Sequence, residues 1–289
     1  MYCVIDIGGT YTKYGYYTQE GNCLEKNKFS TIKTNRDDFY QKIVSLISRE
    51  VQGLAISIPG IIDSHSGMIH AITLLPFLAH HNIINELHEY ISIPISVEND
   101  AKCATLGEMW KGSLKNVCNG MMIVIGSGIG GTLVMNHQIV SSPHHKVGEI
   151  GSLLMPLDRN YQTMTNFGRN NNANTLIQTL NQSLSSSFDG ETVFKHIKGN
   201  ENAYKEFQLY CRQIAFMIYN FDYLLDLDIV SIGGGISEQP LLIQTIQQEY
   251  AQLRMNYEED HHCPQIVSSL YNNDANLLGA LYHYLNDNV

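Results

Sequence analysis

The sequence predicts an α/β protein of two domains, each a mixed β-sheet flanked by helices. Three observations carry that prediction. First, a strand-like run enters a glycine turn and leaves as another strand at Ile7-Gly8-Gly9-Thr10. The pattern returns at Ile125-Gly126-Ser127-Gly128-Ile129-Gly130-Gly131-Thr132, which suggests two related halves. Second, Gly233-Gly234-Gly235 joins a buried-type strand to a helix, as in a βα crossover. Third, the β-branched run Ile93-Pro94-Ile95-Ser96-Val97 stops at Glu98-Asn99-Asp100 and opens a helix through Trp110. A length of 289 residues allows one large domain or two of ordinary size.

Val4-Ile5-Asp6-Ile7 is a β-branched strand, and an alternating aromatic strand follows Thr10, so Gly8-Gly9 is a hairpin turn. Lacking Cβ atoms, the turn lets backbone approach a ligand closely. A carboxylate beside a polyphosphate needs a cation between them, so Asp6 suggests Mg²⁺ held through water. Lys13 either reaches a phosphate or stands as an ordinary surface lysine. A hairpin return is expected around Glu20-Gly21-Asn22, then an amphipathic helix over 37–51 with Phe39, Ile43, Val44 and Ile47 on one face. The strand over 53–58 is ended by Pro59-Gly60, and Asp63 and Gly67 mark a further turn. His80 and His81 have no carboxylate or cysteine at ligand spacing and are expected to be solvated loop residues. After a helix over 83–90, the strand ending at Asn99-Asp100 leaves both side chains where open α/β sheets bind ligands. Asp100 is also placed to cap the next helix.

In the second half, Met121 to Ile125 is a buried-type strand. The glycine loop after it does not open a helix, which disfavours a dinucleotide fingerprint and leaves amides to cradle a phosphate. Gly148-Glu149-Ile150-Gly151-Ser152 holds a lone carboxylate between glycines; by itself Glu149 reads as a solvated loop residue. Residues 158–175, rich in Asn, Thr and Gly, are expected to be an extended loop, and 207–225 a long helix with a core stripe. The helix over 275–285 carries Ala275, Gly279 and Ala280 and is expected to pack tightly against a neighbour.

The net charge of -10 argues against an extended nucleic-acid surface, which needs a basic face. Small anions remain accessible to backbone amides. No apolar run approaches a membrane span, and no signal peptide precedes the first strand. The six cysteines are scattered, without a C-x-x-C pair. Free thiols in a reducing cytoplasm are expected, and not a zinc site.

Taken in order, Asp6-Ile7-Gly8-Gly9-Thr10, Pro59-Gly60 with Asp63 and Gly67, Glu98-Asn99-Asp100-Ala101, Gly126 to Gly131, Gly148-Glu149-Ile150-Gly151 and Gly233-Gly234-Gly235 span nearly the whole chain. The ordered set resembles the ROK family (repressors, open reading frames and kinases) of actin-like sugar kinases. The resemblance implies two actin-like, ribonuclease H-like domains with an active-site cleft between them. They would be residues 1–104, completed by the C-terminal helix 275–289, and residues 105–274. It further implies a homodimer using ATP and Mg²⁺. Asp100 would be the general base, and Asn99, Glu149, Gly60 and Ser152 would border the sugar. Asp6, Gly8, Gly9, Thr10, Lys13, Gly126, Ser127, Gly128, Gly130 and Gly131 would position ATP·Mg²⁺. Gly233, Gly234 and Gly235 would border the adenosine.

Two departures narrow the resemblance. Zinc-bearing members carry a histidine after Glu-x-Gly and then a C-x-C-G-x-x-G-C cluster. Here Ser152 takes the histidine's place and 153–174 holds no cysteine, so no zinc is expected. Leu74-Leu75-Pro76-Phe77 stands where the family's glucose kinases show an asparagine-containing, Pro-Gly-Trp-like segment. Both departures resemble the zinc-less branch that includes β-glucoside kinases, which phosphorylate the 6-hydroxyl of cellobiose-type disaccharides. Glucose, N-acetylmannosamine and fructose are the alternative substrates. A repressor would need a helix-turn-helix ahead of Asp6. A non-catalytic sugar-binding regulator is disfavoured by the retained Asp100 and both loops.

Overall fold

The computed structural model describes residues 1–157, 160–257 and 261–287. The chain forms two compact units. One comprises Met1–Gly112, Ser141–Lys146 and Asp274–Val289; the other comprises Ser113–Val140 and Val147–Asn273.

The first unit opens with a meander of β1 (Tyr2–Ile7), β2 (Tyr11–Tyr17) and β3 (Cys23–Ser30). Helix α1 (Arg36–Val44) follows, capped by Asn35, whose side chain accepts from the Asp38 amide. It ends well short of residue 51. Ser45 Oγ bonds back to the Lys42 carbonyl at 2.7 Å, a local competitor to helix continuation. Next come β4 (Gly53–Ile58) and a hairpin of β5 (Ile61–Asp63) and β6 (Met68–Ala71). After them come the short α2 (Ile83–Leu87), β7 (Ile95–Asn99) and α3 (Asp100–Lys111). The sheet order is β3-β2-β1-β4-β7, with β1, β4 and β7 parallel. β4 is buried along its full length, as expected for a parallel strand covered on both faces. At the edge, β3 exposes Glu25, Lys26 and Lys28, which discourages pairing with another chain.

His81 departs from the expected solvated loop. Its Nδ1 lies 2.7 Å from Glu86 Oε1, and Tyr40 OH donates to Glu86 Oε2 at 2.9 Å. Asn82 starts α2 immediately after His81, and the helix carries Glu86 back over the ring.

The second unit repeats the arrangement with β8 (Gly120–Ile125), β9 (Ile129–Met135) and β10 (Gln138–Ile139). Residues 160–175 are not the extended loop expected; 158 and 159 lie outside the described residues. β11 (Leu154–Pro156) pairs with β12 (Met164–Asn166), and α4 (Phe167–Asn171) and α5 (Ala173–Leu184) follow. Asn172 caps α5, accepting from the Thr175 amide at 2.9 Å. Then come α6 (Gly190–His196), α7 (Glu201–Leu225), β13 (Ile229–Gly233), α8 (Pro240–Asn256) and β14 (Gln265–Ser268). The sheet order is β10-β9-β8-β13-β14, so both units share one plan. The chain returns to the first unit as α9 (Ala275–Asp287), which lies on α3 and the sheet. A Cβ on Gly279 would run into the Cys103 carbonyl. The small residues therefore set the tight helix contact the sequence predicts. No described helix is long and apolar enough to cross a membrane.

Candidate active site

In the first unit the strand register lines up a polar row. Lys13 on β2 pairs with Asp6 on β1, Asp6 with Ser57 on β4, and Ser57 with Glu98 on β7. Asp6 is buried, and its Oδ1 accepts from Ser57 Oγ and Asn276 Nδ2, each at 3.0 Å. Burial pushes the Asp6 carboxyl up from its ordinary value, opposed by the Lys13 charge and by the bonds from Asn276 and Ser57. Glu98 is buried too. Its Oε1 takes the Asn99 amide at 2.7 Å and stands 3.5 Å from Lys102 Nζ. Cys103, under the same row, has its thiol pushed well up by burial and is inert at neutral pH.

The Gly8-Gly9 turn is braced from β3's end. Thr31 Oγ1 donates to the Gly8 carbonyl at 2.7 Å, and the Thr31 amide donates to the Thr10 carbonyl at 3.0 Å. Gly9 and Thr10 are exposed.

At the end of β7 the structure separates Asn99 from Asp100. The cap of α3 is Asn99, not Asp100: Asn99 Oδ1 accepts from the Lys102 amide at 3.1 Å. Its Nδ2 holds the Gly60 carbonyl at 2.9 Å. Gly60 has φ +124°, and a Cβ there would strike the Ala71 carbonyl, so only glycine fits. Asp100 is the first residue of the helix, half-buried, with Oδ1 taking the Ala101 amide at 2.8 Å. A carboxylate suits the positive end of a helix. Asn99 can cap because its β-type ψ still belongs to the strand.

In the second unit the two later glycine turns lie side by side, at the ends of the adjacent strands β8 and β13. Gly234 has φ +95°, and a Cβ on it would run into the Ile125 carbonyl. Ser237 Oγ steadies that turn by donating to the Gly234 carbonyl at 2.8 Å, and Ser269 Oγ donates to Asn272 at 3.0 Å nearby. The Gly126 carbonyl accepts from the Ala173 amide at the start of α5, 2.9 Å. Ser127 and Gly128 are exposed at the tip, while Gly130 and Gly131 lie in β9. Glu149 follows Gly148, whose Cβ would lie 2.5 Å from the Gly131 carbonyl, so its segment packs backbone to backbone on β9. Ser152 is exposed at the end of a single 3₁₀ turn.

Each unit by itself has features that suit part of a nucleoside triphosphate with Mg²⁺. Cβ atoms at Gly126, Gly128 and Gly235 would meet nothing within 4 Å, so the backbone is open to approach. Asp6 is a single carboxylate whose charged form burial penalises, a setting that a cation relieves. Mg²⁺ is commonly held by one or two carboxylates with water and phosphate. Among the described residues, no group of three or more His, Cys, Asp or Glu is placed to hold a metal ion. Ser57, Thr31 and Asn276 join these residues without having stood out in the sequence. For Ser57 the signal was a polar residue inside an otherwise apolar strand; Thr31 after β3 and Asn276 in α9 gave none.

The ROK family's sequence profile matches residues 2–286. The chain belongs to the ROK family. It is 28% identical over 287 residues to a β-glucoside kinase from Klebsiella pneumoniae, covering 96% of this chain and 94% of that protein. Among solved structures, a ROK family protein from Streptococcus pneumoniae TIGR4 in complex with sucrose superposes with a TM-score of 0.88 at 28% identity. That match covers 99% of this chain and 98% of the other. A ROK family glucokinase from Streptomyces griseus, in complex with glucose and AMPPNP, gives a TM-score of 0.83 at 19% identity, with 97% of each chain covered. The last likeness speaks for the fold, which is the actin-like two-domain fold of ROK sugar kinases.

Proposed function

We propose that the chain transfers the γ-phosphoryl group of ATP to a sugar hydroxyl, with the 6-hydroxyl of a β-glucoside as acceptor. The carrying observation is Asp100, a half-exposed carboxylate released from the capping role that Asn99 fills. Its carboxylate can take the proton from the attacking hydroxyl as the oxygen–phosphorus bond forms and the bond to ADP breaks. Asn99 fixes the Gly60 carbonyl beside it, and Glu149 and Ser152 are further candidates for the sugar's hydroxyls. The amides of Gly8 to Thr10 and of Gly126 to Gly131 would hold phosphate oxygens, with Lys13 adding charge. Gly233 to Gly235 would border the adenosine. Mg²⁺, when bound, neutralises phosphate charge; Asp6 would hold it through water. Positioning and charge stabilisation do most of the work in phosphoryl transfer, and in this reading both would come from the strand ends. The Klebsiella relative's name supports the β-glucoside over the monosaccharides.

The test is ADP release with Mg·ATP against cellobiose, gentiobiose, salicin, glucose, fructose and N-acetylmannosamine, for wild type and Asp100→Ala. Turnover of the β-glucosides, lost in the variant, is expected. Turnover of a monosaccharide alone discards the β-glucoside, and binding without turnover on any sugar discards the kinase.

A further inference from the structure

The Asn99 amide also leads outward, to a pair of histidines that phosphoryl transfer does not use. Asn99 holds Gly60, and Gly60 abuts the carbonyl of Ala71 at the end of β6. Just before Ala71 the hairpin register slips: Ile61 pairs with Ala71 and Ile62 with Ile69. His70 is therefore the extra residue of a β-bulge, a device that re-aims a side chain and recurs beside active sites. Its ring is stacked on that of His145, with centroids 5.5 Å apart and planes at 23°. His145 has φ +52° and belongs to the 141–146 segment, which joins the first unit although its flanks belong to the second. It also faces Asp63, whose carboxyl is held below the ordinary range first by the Ser66 hydroxyl and further by His145.

Stacked imidazoles turn faces, not lone pairs, toward each other, so the pair is no metal site. His70 is exposed and His145 half-buried. Each presents a flat apolar body with polar nitrogens at its edge. A pyranose offers the complement, a face of C–H groups rimmed by hydroxyls. The stack stands next along the hairpin from the Gly60 backbone, which Asn99 ties to the strand end bearing Asp100.

We propose that His70 and His145 form a platform for the part of the substrate beyond the phosphorylated ring, the second sugar or aglycone of a β-glucoside. The platform rests on the kinase reading given above and narrows it to glycosides. Binding should be measured calorimetrically, without nucleotide, for cellobiose and glucose in wild type, His70→Ala, His145→Ala and His70→Phe, with Tm checking each fold. His70→Phe keeps a flat ring, should alanine disturb the hairpin. The cellobiose Kd should rise about 3- to 10-fold more than the glucose Kd in the alanine variants, about the value of one net hydrogen bond. His70→Phe should recover part of that loss. Equal losses on both sugars, no loss on either, or a wild type that does not bind cellobiose would overturn the platform. Because no turnover is involved, a catalytically silent protein with histidine-dependent cellobiose binding would sink the kinase and keep the platform.

Discussion

The two units share a sheet order and differ in what they place at the strand ends. The first sets carboxylates there: Asp6 on β1, Glu98 on β7 and Asp100 at the start of α3. The second sets bare backbone there, in the turns after β8 and β13. The cost of each choice is visible. Buried acids need partners, and the first unit surrounds them with Ser57, Asn276, Lys13 and Lys102. Bare backbone needs shape, and the second unit obtains it from the positive φ of Gly234 and its contact with the Ile125 carbonyl. One plan thus carries two kinds of strand end, partnered carboxylates in the first unit and turns shaped by bare backbone in the second.

The sharpest break of that comparison is at Asp100. Asp100→Ala should lower kcat by about 10²–10⁴-fold, the usual worth of a general base, with a smaller Tm loss than Asn99→Ala, since Asp100 is not the cap and accepts only the neighbouring Ala101 amide at the helix start. Asn99→Ala should do the reverse to the fold. It loses a cap worth about 0.5–2 kcal/mol and the Gly60 tether, so thermal melting should register it plainly. A large Tm loss in Asp100→Ala would contradict the division of roles between these neighbours.

That division was not legible in the sequence, which put the cap and the base on the same residue. Contiguous features were legible. The glycine turns, the β-branched strands and the ordered family motifs all lie within a few positions of each other, and the family and its fold followed from them. Features made by register were not. Asn276 meets Asp6 across 270 positions, and Ser57 and Glu98 join the row only once β1, β4 and β7 are paired. His81 and Glu86 meet through the turn into α2, which no ligand spacing anticipates. The asparagines of 160–175 suggested a loop because the same side chains serve loops and helix caps alike.

In the second unit, two glycine substitutions should part ways. Gly234→Ala forces an L residue into a positive φ and a Cβ against the Ile125 carbonyl. It should destabilise by at least the roughly 1–3 kcal/mol of a strained backbone, lowering Tm. Gly128→Ala meets nothing within 4 Å, so its Tm should stay at the wild-type value while Mg·ATP affinity falls. Wild-type nucleotide affinity in a folded Gly128→Ala would show that the turn's open backbone is not used.

The smallest effect expected concerns Asp6, where the first unit's strategy works against its own stability. Burial raises the Asp6 pKa in the folded chain above its ordinary 3.8, so folding takes up a proton there. The stabilising contribution is complete below the unfolded value and is lost as pH rises through the raised one. Without nucleotide, Tm should therefore fall across that window in wild type and stay flatter in Asp6→Asn, whose Oδ1 can still accept from Ser57 and Asn276. At neutral pH the variant should melt higher, by about 2–4 °C for each kcal/mol recovered. With Mg·ATP the order should reverse, since a bound cation would favour the charged form of the wild-type carboxylate. An Asp6→Asn protein stabilised by Mg·ATP as strongly as wild type would leave Asp6 a structural acid and remove it from the nucleotide site.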